Sequence, residues 1–347
     1  MLTVMARSGA LRSILLFLVG LLILVAYILL FIDYEKLVAM FLKIGPCYYL
    51  VAIGVDLLYM LSYSLAWHAI VTSFDEEISV KDSVTAVLIS IYGDILIPTA
   101  SIAGEALRVA YAKKKMKLPM SHILSTIAVH RLLNLYTFVT LVLVCTAVLF
   151  ARGELPPQAL GFSLTMLVIS IPLLIVLTAL LLNVGKASGA AYKILFFLEK
   201  RGHKRLSKAL SKALEEMERI QESMDSLKRK RYKLFVAYML LIIQWVLGSL
   251  IPYVFFRALG YEVDFLLMVL AFPLYGLIAL VPVGIPGMLG VMDVSMISTF
   301  VLLGLDKEMS TAVAISTRLI IVVFELVFTG LITWLKGVKE IASLEES

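Results

Sequence analysis

Charged residues stand inside apolar sequence at two places, and both are broken by proline and glycine. The first is Pro98-Thr-Ala-Ser-Ile-Ala-Gly104-Glu105-Ala-Leu-Arg108 and the second is Pro282-Val-Gly-Ile-Pro286-Gly287-Met-Leu-Gly290-Val-Met-Asp293. Each acid is followed by an arginine in a later hydrophobic stretch, Glu105 by Arg131 after 26 residues and Asp293 by Arg318 after 25. An ionisable group at membrane depth is costly and persists where a partner or a function requires it. Arginine is the natural ligand for phosphate and carboxylate, because its planar fork binds both oxygens at once. The expected chemistry is recognition of an anionic group, with Arg108, Arg131 and Arg318 as substrate-binding cations. Glu105, Asp293, Asp94, His130 and Asn134 are their polar companions.

Spacing leaves a second reading open for each. Glu105 and Arg108 lie at i and i+3, on one helix face, and Glu105 follows Gly104 near a helix start, where a carboxylate favours the dipole. They can therefore be a cap and its ion partner. Arg131 can be half of a buried pair with Glu105 that fixes the first broken element, or it can meet a phosphate. Pro286 suits a first helical turn, and the free N–H groups at Pro286-Gly287 would form an anion site of backbone donors. On that reading Asp293 falls two turns into the helix, with Arg318 its partner and Glu325 further along the same face. Pro98, Gly104, Pro286, Gly287 and Gly290 are the expected helix breaks. Asp56 and His68 read as buried polar glue between helices. Trp67, Trp245 and Trp334 read as interface or packing residues.

The elements that must position these residues are membrane spans. The 347-residue chain is 61% hydrophobic and 16% charged, where soluble domains run near ~25% charged. Its mean hydropathy is +0.99. Full spans are expected at about 13–32, 46–72, 120–150, 158–183, 234–258 and 309–335. Two shorter pieces, 83–98 and 265–282, stop at a proline, and each is followed by another, 101–118 and 286–304. Such pieces fit re-entrant hairpins, and the longer second pair also fits two thin full crossings. Cys47 and Cys145 lie in or beside apolar segments and suggest neither a disulfide nor a metal site. No nucleotide loop, metal spacing or nucleophile elbow appears, so no cofactor, metal or catalytic residue is expected.

Charge sets the orientation. Segment 186–233 holds 14 Lys/Arg against 6 Asp/Glu and accounts for the chain's net +6 without any nucleic-acid partner. With the N-terminus inside and both hairpins returning to their own side, 23 Lys/Arg fall inside and 5 outside. Both termini are then cytoplasmic and the protein sits in the cell membrane. Each half, 1–155 and 156–340, carries three crossings and one hairpin (83–118 and 265–304), so the second is inserted upside down. The expected fold is an all-α polytopic membrane protein of two inverted repeats, with its site where the hairpins meet. A cytoplasmic amphipathic linker, 186–233, joins the halves; Leu206, Leu210, Ala213, Met217, Ile220, Met224 and Leu227 mark its apolar face.

The pattern Gly104-Glu105-x-x-Arg108, Arg131, then Pro286-Gly287-x-x-Gly290-x-x-Asp293 resembles the lysylphosphatidylglycerol synthase transmembrane-region family. These flippase-like proteins include the flippase half of the bacterial multiple peptide resistance factor. The resemblance spans about residues 10–336. Where the family usually has Asn this chain has Asp94; where it has Glu-Arg-x-x-Asp the chain reads His130-Arg131-Leu-Leu-Asn134; and where it has Glu the chain has Asp293. The soluble aminoacyl-transferase domain of the better-known members is not seen in this chain. The resemblance therefore implies translocation of a lipid, with membrane lipids bearing anionic head groups as partners. A membrane-embedded enzyme acting on lipid phosphates or sugars, and an ion-coupled carrier of a small anion, are the competing readings.

Overall fold

The computed structural model describes residues 34–74, 77–96, 102–183, 218–281 and 285–337, and every regular element among them is helical. The span expected at 13–32, Pro98, Pro282 and most of the 186–233 linker lie outside those residues. In chain order the helices are α1 (Tyr34–Lys43), α2 (Pro46–Val71), α3 (Val80–Leu96), α4 (Ile102–Lys115), α5 (Met120–Ala151) and α6 (Pro157–Leu182). They continue with α7 (218–229), α8 (Arg231–Ala258), α9 (Phe265–Gly276) and α10 (Val291–Leu302). The last, α11 (Lys307–Lys336), contains a wide π turn at Leu319–Phe324, directly after Arg318. Five of these, α2, α5, α6, α8 and α11, are long and apolar enough to cross a membrane. The short helix α1 was not expected from the apolar pattern.

Prolines set the helix starts. Pro46 and Pro157 occupy the first turns of α2 and α6, where a missing N–H costs nothing. α2 and α8 lie along one another over much of their length and form the centre of the bundle. They run antiparallel, as two hydrogen bonds at opposite ends show. Lys43 Nζ, just before α2 begins, donates to Leu259 O at the end of α8 (2.9 Å). Lys233 Nζ, at the start of α8, donates to Thr72 O at the end of α2 (2.6 Å). A lysine near a helix C-terminus satisfies a free carbonyl and opposes the dipole's negative end.

The other packings come in matching sets. α3 packs on α2 as α9 packs on α8. α9 packs on α5, and α3 packs on the C-terminal part of α11. Each broken pair therefore leans on the last long helix of the opposite half. The larger core, including Phe255, Phe256, Tyr275 and Phe300, joins α2, α5, α6 and α8 to α11. A smaller one, including Trp67, Ile89, Tyr111 and Ile123, lies under α3 and α4. The described part of the linker packs as well: Met224 and Leu227 are buried against Ala66, Ile70, Val129 and Leu241. α6 is the outermost span, with Val168 and Ile175 more than half exposed in the direction of lipid.

Lipid supplies no hydrophobic drive between helices, so close packing and polar contacts must hold them together. Gly104 shows how tight the packing is. It sits where α4 crosses α3, and a β-carbon there would overlap Ser90 O and the Asp94 carboxylate. Overpacking a core costs about 1–3 kcal/mol even when a neighbouring side chain can move, and here a backbone oxygen blocks the space. Gly104→Ala should lower the thermal midpoint of the detergent-purified protein, and Gly104→Leu should prevent recovery of a monodisperse species. Wild-type stability of the leucine variant would contradict this packing.

Candidate functional site

Two arginine clusters hold the broken pairs. In the first half Arg131, on α5, reaches back to α4. Its Nε donates to Glu105 Oε1 at 2.8 Å, and its Nη2 lies 2.6 Å from the same oxygen. Asp94 Oδ2, on α3, is 3.9 Å away. Asp94 in turn accepts the backbone N–H of Gly104 (3.0 Å), so the end of α3 caps the start of α4. One guanidinium thus ties three helices together. Its side chain is still 38% exposed, which leaves part of it free for another partner.

Arg108 pairs with Glu105, as the spacing allowed, but it is covered by aromatic rings and does not line the cavity. It is 1% exposed and stacked between aromatic rings, 5.3 Å from the Trp67 ring centroid and 5.9 Å from that of Tyr63. It reaches Glu105 at 3.5 Å and Ser90 Oγ at 3.4 Å. It lies behind the cavity wall, where its charge offsets that of Glu105. His130 is likewise fully buried, its ring 4.5 Å from that of Tyr63. Asn134 lines the cavity, and its Oδ1 accepts Trp245 Nε1 at 2.6 Å.

In the second half Arg318, on α11, faces the break between α9 and α10. It approaches Asp293 Oδ1 at 3.6 Å and donates to the backbone carbonyl of Gly287. The helix does not begin at Pro286, as the sequence suggested. Pro286–Met288 form a single 3-10 turn, and α10 starts at Val291. The cause is backbone conformation: Gly287 (φ 58°) and Met288 (φ 52°) are both left-handed, so no α-helix can run through them. Asp293 is consequently in the first turn, not two turns in. Its Oδ2 accepts Gly290 N–H at 2.7 Å, so the start of α10 already has its anion. The carboxylate of Asp293 therefore takes the Gly290 N–H that opens α10.

Both clusters border one cavity of about 340 Å³ between the halves. Arg131, Asp94 and Asn134 line it from the first half; Arg318, Gly287 and Met288 line it from the second. Arg108, Glu105, His130 and Asp293 stand behind the wall. Aromatic rings, among them Tyr59, Tyr63, Trp245 and Phe272, make up much of the remainder. Charge recognition with apolar walls is the usual composition of a small-molecule site. Helix α3 packs against the second-half turn at Pro286–Met288, so the two halves converge on this space.

Three cavity residues were missed as site residues. Asp56, on α2, lines the cavity at 0% exposure, and Glu325, on α11, faces it at 5%. Trp245 is a packing residue, edge-on to Phe138 and Phe272, that also forms part of the cavity wall. The only available signal was a carboxylate in an apolar run, and that alone does not say which side of a helix is wet. His68 does serve as glue, with Nδ1 2.9 Å from Ser83 Oγ between α2 and α3. Trp67 is packing, and Trp334 is exposed.

Long apolar helices surrounding an interior charged cavity define an integral membrane protein. The chain matches the lysylphosphatidylglycerol synthase transmembrane region over residues 17–328 and belongs to that family. It is similar to a UPF0104 membrane protein of Methanocaldococcus jannaschii, 24% identical over 319 residues that cover 89% of this chain and 90% of the relative. A UPF0104 membrane protein of Methanothermobacter thermautotrophicus is 23% identical over 285 residues, covering 80% and 82%. Another, of Pyrococcus horikoshii, is 24% identical over 294 residues, covering 82% and 86%. No solved structure matches the chain significantly.

Proposed function

We propose that the protein is a lipid translocase, a transporter and not an enzyme, which binds the phosphate-bearing head group of a phospholipid or lipid-linked phosphate in the central cavity. The observation that carries this reading is Arg131, a guanidinium only partly used by the protein, facing the cavity between the two helix pairs. A cavity of about 340 Å³ has room for a phosphorylated head group but not for acyl chains, which would remain in the bilayer.

The fold proposed with it is a pair of inverted repeats with re-entrant hairpins α3–α4 and α9–α10. α3 and α4 have 17 and 14 residues, about 25 and 21 Å of helix against about 30 Å of hydrocarbon. Two features favour inversion. The equivalent spans α2 and α8 are antiparallel, with reciprocal lysine caps from Lys43 and Lys233. The packings α3–α2 and α3–α11 recur as α9–α8 and α9–α5. Rocking of such halves about a shared site gives alternating access. The lysine bias assigns both termini to the cytoplasmic side of the cell membrane.

The test is reconstitution into phosphatidylcholine vesicles that contain a fluorescent phosphatidylglycerol or polyprenyl phosphate. The label is quenched from outside, with and without an imposed proton gradient. Quenching beyond the outer-leaflet fraction, dependent on protein, is the expected result. If neither probe changes leaflet under either condition, the reading fails.

A further inference from the structure

We infer that Asp56 and Glu325 form a proton-binding carboxyl pair that couples protonation to the relative position of the two halves. The inference goes beyond head-group binding and would stand for any cargo.

The two side chains come from different halves, Asp56 from α2 and Glu325 from α11. Both carboxyl groups line the cavity where α2 packs against the π turn of α11, and they adjoin one another there. As two carboxylates they could not bond, because each would be an acceptor only. Neither Asp56 oxygen has a hydrogen-bond donor from the protein. A single proton changes this: one carboxyl becomes a donor, the contact becomes a hydrogen bond, and one of two adjacent buried charges is removed. Two like charges at this depth would otherwise pay both repulsion and lost hydration.

A second observation points to the same space. Gln244, on α8, is 3% exposed and lines the cavity there, and its Oε1 is an unpartnered acceptor. Three oxygens on two helices, both of Asp56 and one of Gln244, thus lack a donor in one place. The phenol of Tyr59 lines the same cavity.

The surrounding charges do not cancel the pair. Arg318 is the nearest cation to Glu325, on the same helix, but it is engaged by Asp293 and by Gly287 O. On the other wall Arg131 is held by Glu105 and Asp94. Arg108 is paired with Glu105, and His130 and Tyr63 lie packed against each other behind and beside it. Tyr275, on α9, adds only a neutral phenol. Together the five carboxylates Asp56, Asp94, Glu105, Asp293 and Glu325 exceed the three arginines.

Because the partners belong to different halves, rocking separates them. When they touch, one proton is held between them. When they part, it passes to water in whichever direction the cavity opens, leaving two carboxylates that can hydrate. Proton affinity and access then change together, as coupling requires.

Infrared difference spectroscopy tests this on the purified full chain in phosphatidylcholine nanodiscs, cycled between about pH 6 and about pH 9 in choline chloride. Solvated Asp and Glu, with pKa values near ~4, are ionised throughout that range and contribute no acid band. Wild-type protein should show a protonated-carboxyl C=O band that appears and disappears with pH. Asp56→Asn and Glu325→Gln should each lose it, while Asp225→Asn, on the exposed face of α7, keeps it. Should one variant fail to give monodisperse protein, the other decides. An absent band in wild type, or one that survives in a folded variant of either residue, overturns the inference. So does a band abolished by replacing choline with Na⁺ at constant pH, since the pair would then be a metal-cation site.

Discussion

Arg131→Ala is expected to slow lipid movement in vesicles by about 10- to 100-fold. Two losses add. The head group loses the more accessible of the two described guanidiniums that line the cavity, Arg131 being 38% exposed and Arg318 9%. Glu105 also loses its closest partner, leaving only Arg108 at 3.5 Å. Hydrogen bonds to charged groups contribute about 1.5–3 kcal/mol, and each ~1.4 kcal/mol in a barrier is tenfold in rate. Arg131→Lys separates the two effects. The ammonium keeps the charge near Glu105 but cannot bind two oxygens in one plane. It should retain folding and recover only part of the rate. Unchanged lipid movement in the alanine variant would remove Arg131 from the site.

The largest loss of stability is expected from Arg318→Met. Arg318 is 9% exposed and its partner Asp293 only 2%. Removing one member of a buried pair strands the other charge, at a cost of about 3–5 kcal/mol. Asp293 would retain only the Gly290 N–H and the dipole of α10. The carbonyl of Gly287 would lose its donor, in a turn already held at two left-handed residues. The thermal midpoint in detergent should fall sharply. The double variant Arg318→Met/Asp293→Asn should recover much of the loss, because the amide carries no charge to strand. If the double variant is no more stable than the single one, the pair is not the source of the effect.

Much of this arrangement was legible in the chain. Charge, proline and glycine inside apolar sequence marked both breaks, and the similar spacing to Arg131 and Arg318 predicted which helix each break would meet. The i, i+3 placement of Glu105 and Arg108 predicted their contact. It did not show that Trp67 and Tyr63 would cover Arg108, because that depends on how α2 packs against α4. The start of α10 was misread because Pro286 is a good first residue, and nothing local forces Met288 into a left-handed conformation. The pairing of Asp56 with Glu325 was hidden for a different reason. Its members lie in separate halves, and only the packing of α11 beside α2 brings them together. Helix α1 was missed because its role is tertiary, the lysine it lends to the end of α8.

The central claim is that a lipid phosphate enters the space between the two breaks and meets Arg131. The most direct measurement is an experimental density map of the protein in nanodiscs containing phosphatidylglycerol. The account predicts head-group density within hydrogen-bonding distance of the Arg131 guanidinium, with the acyl chains leaving between helices toward the bilayer. A cavity empty of lipid, with ordered lipids only along the outer faces of α6 and its neighbours, would contradict it.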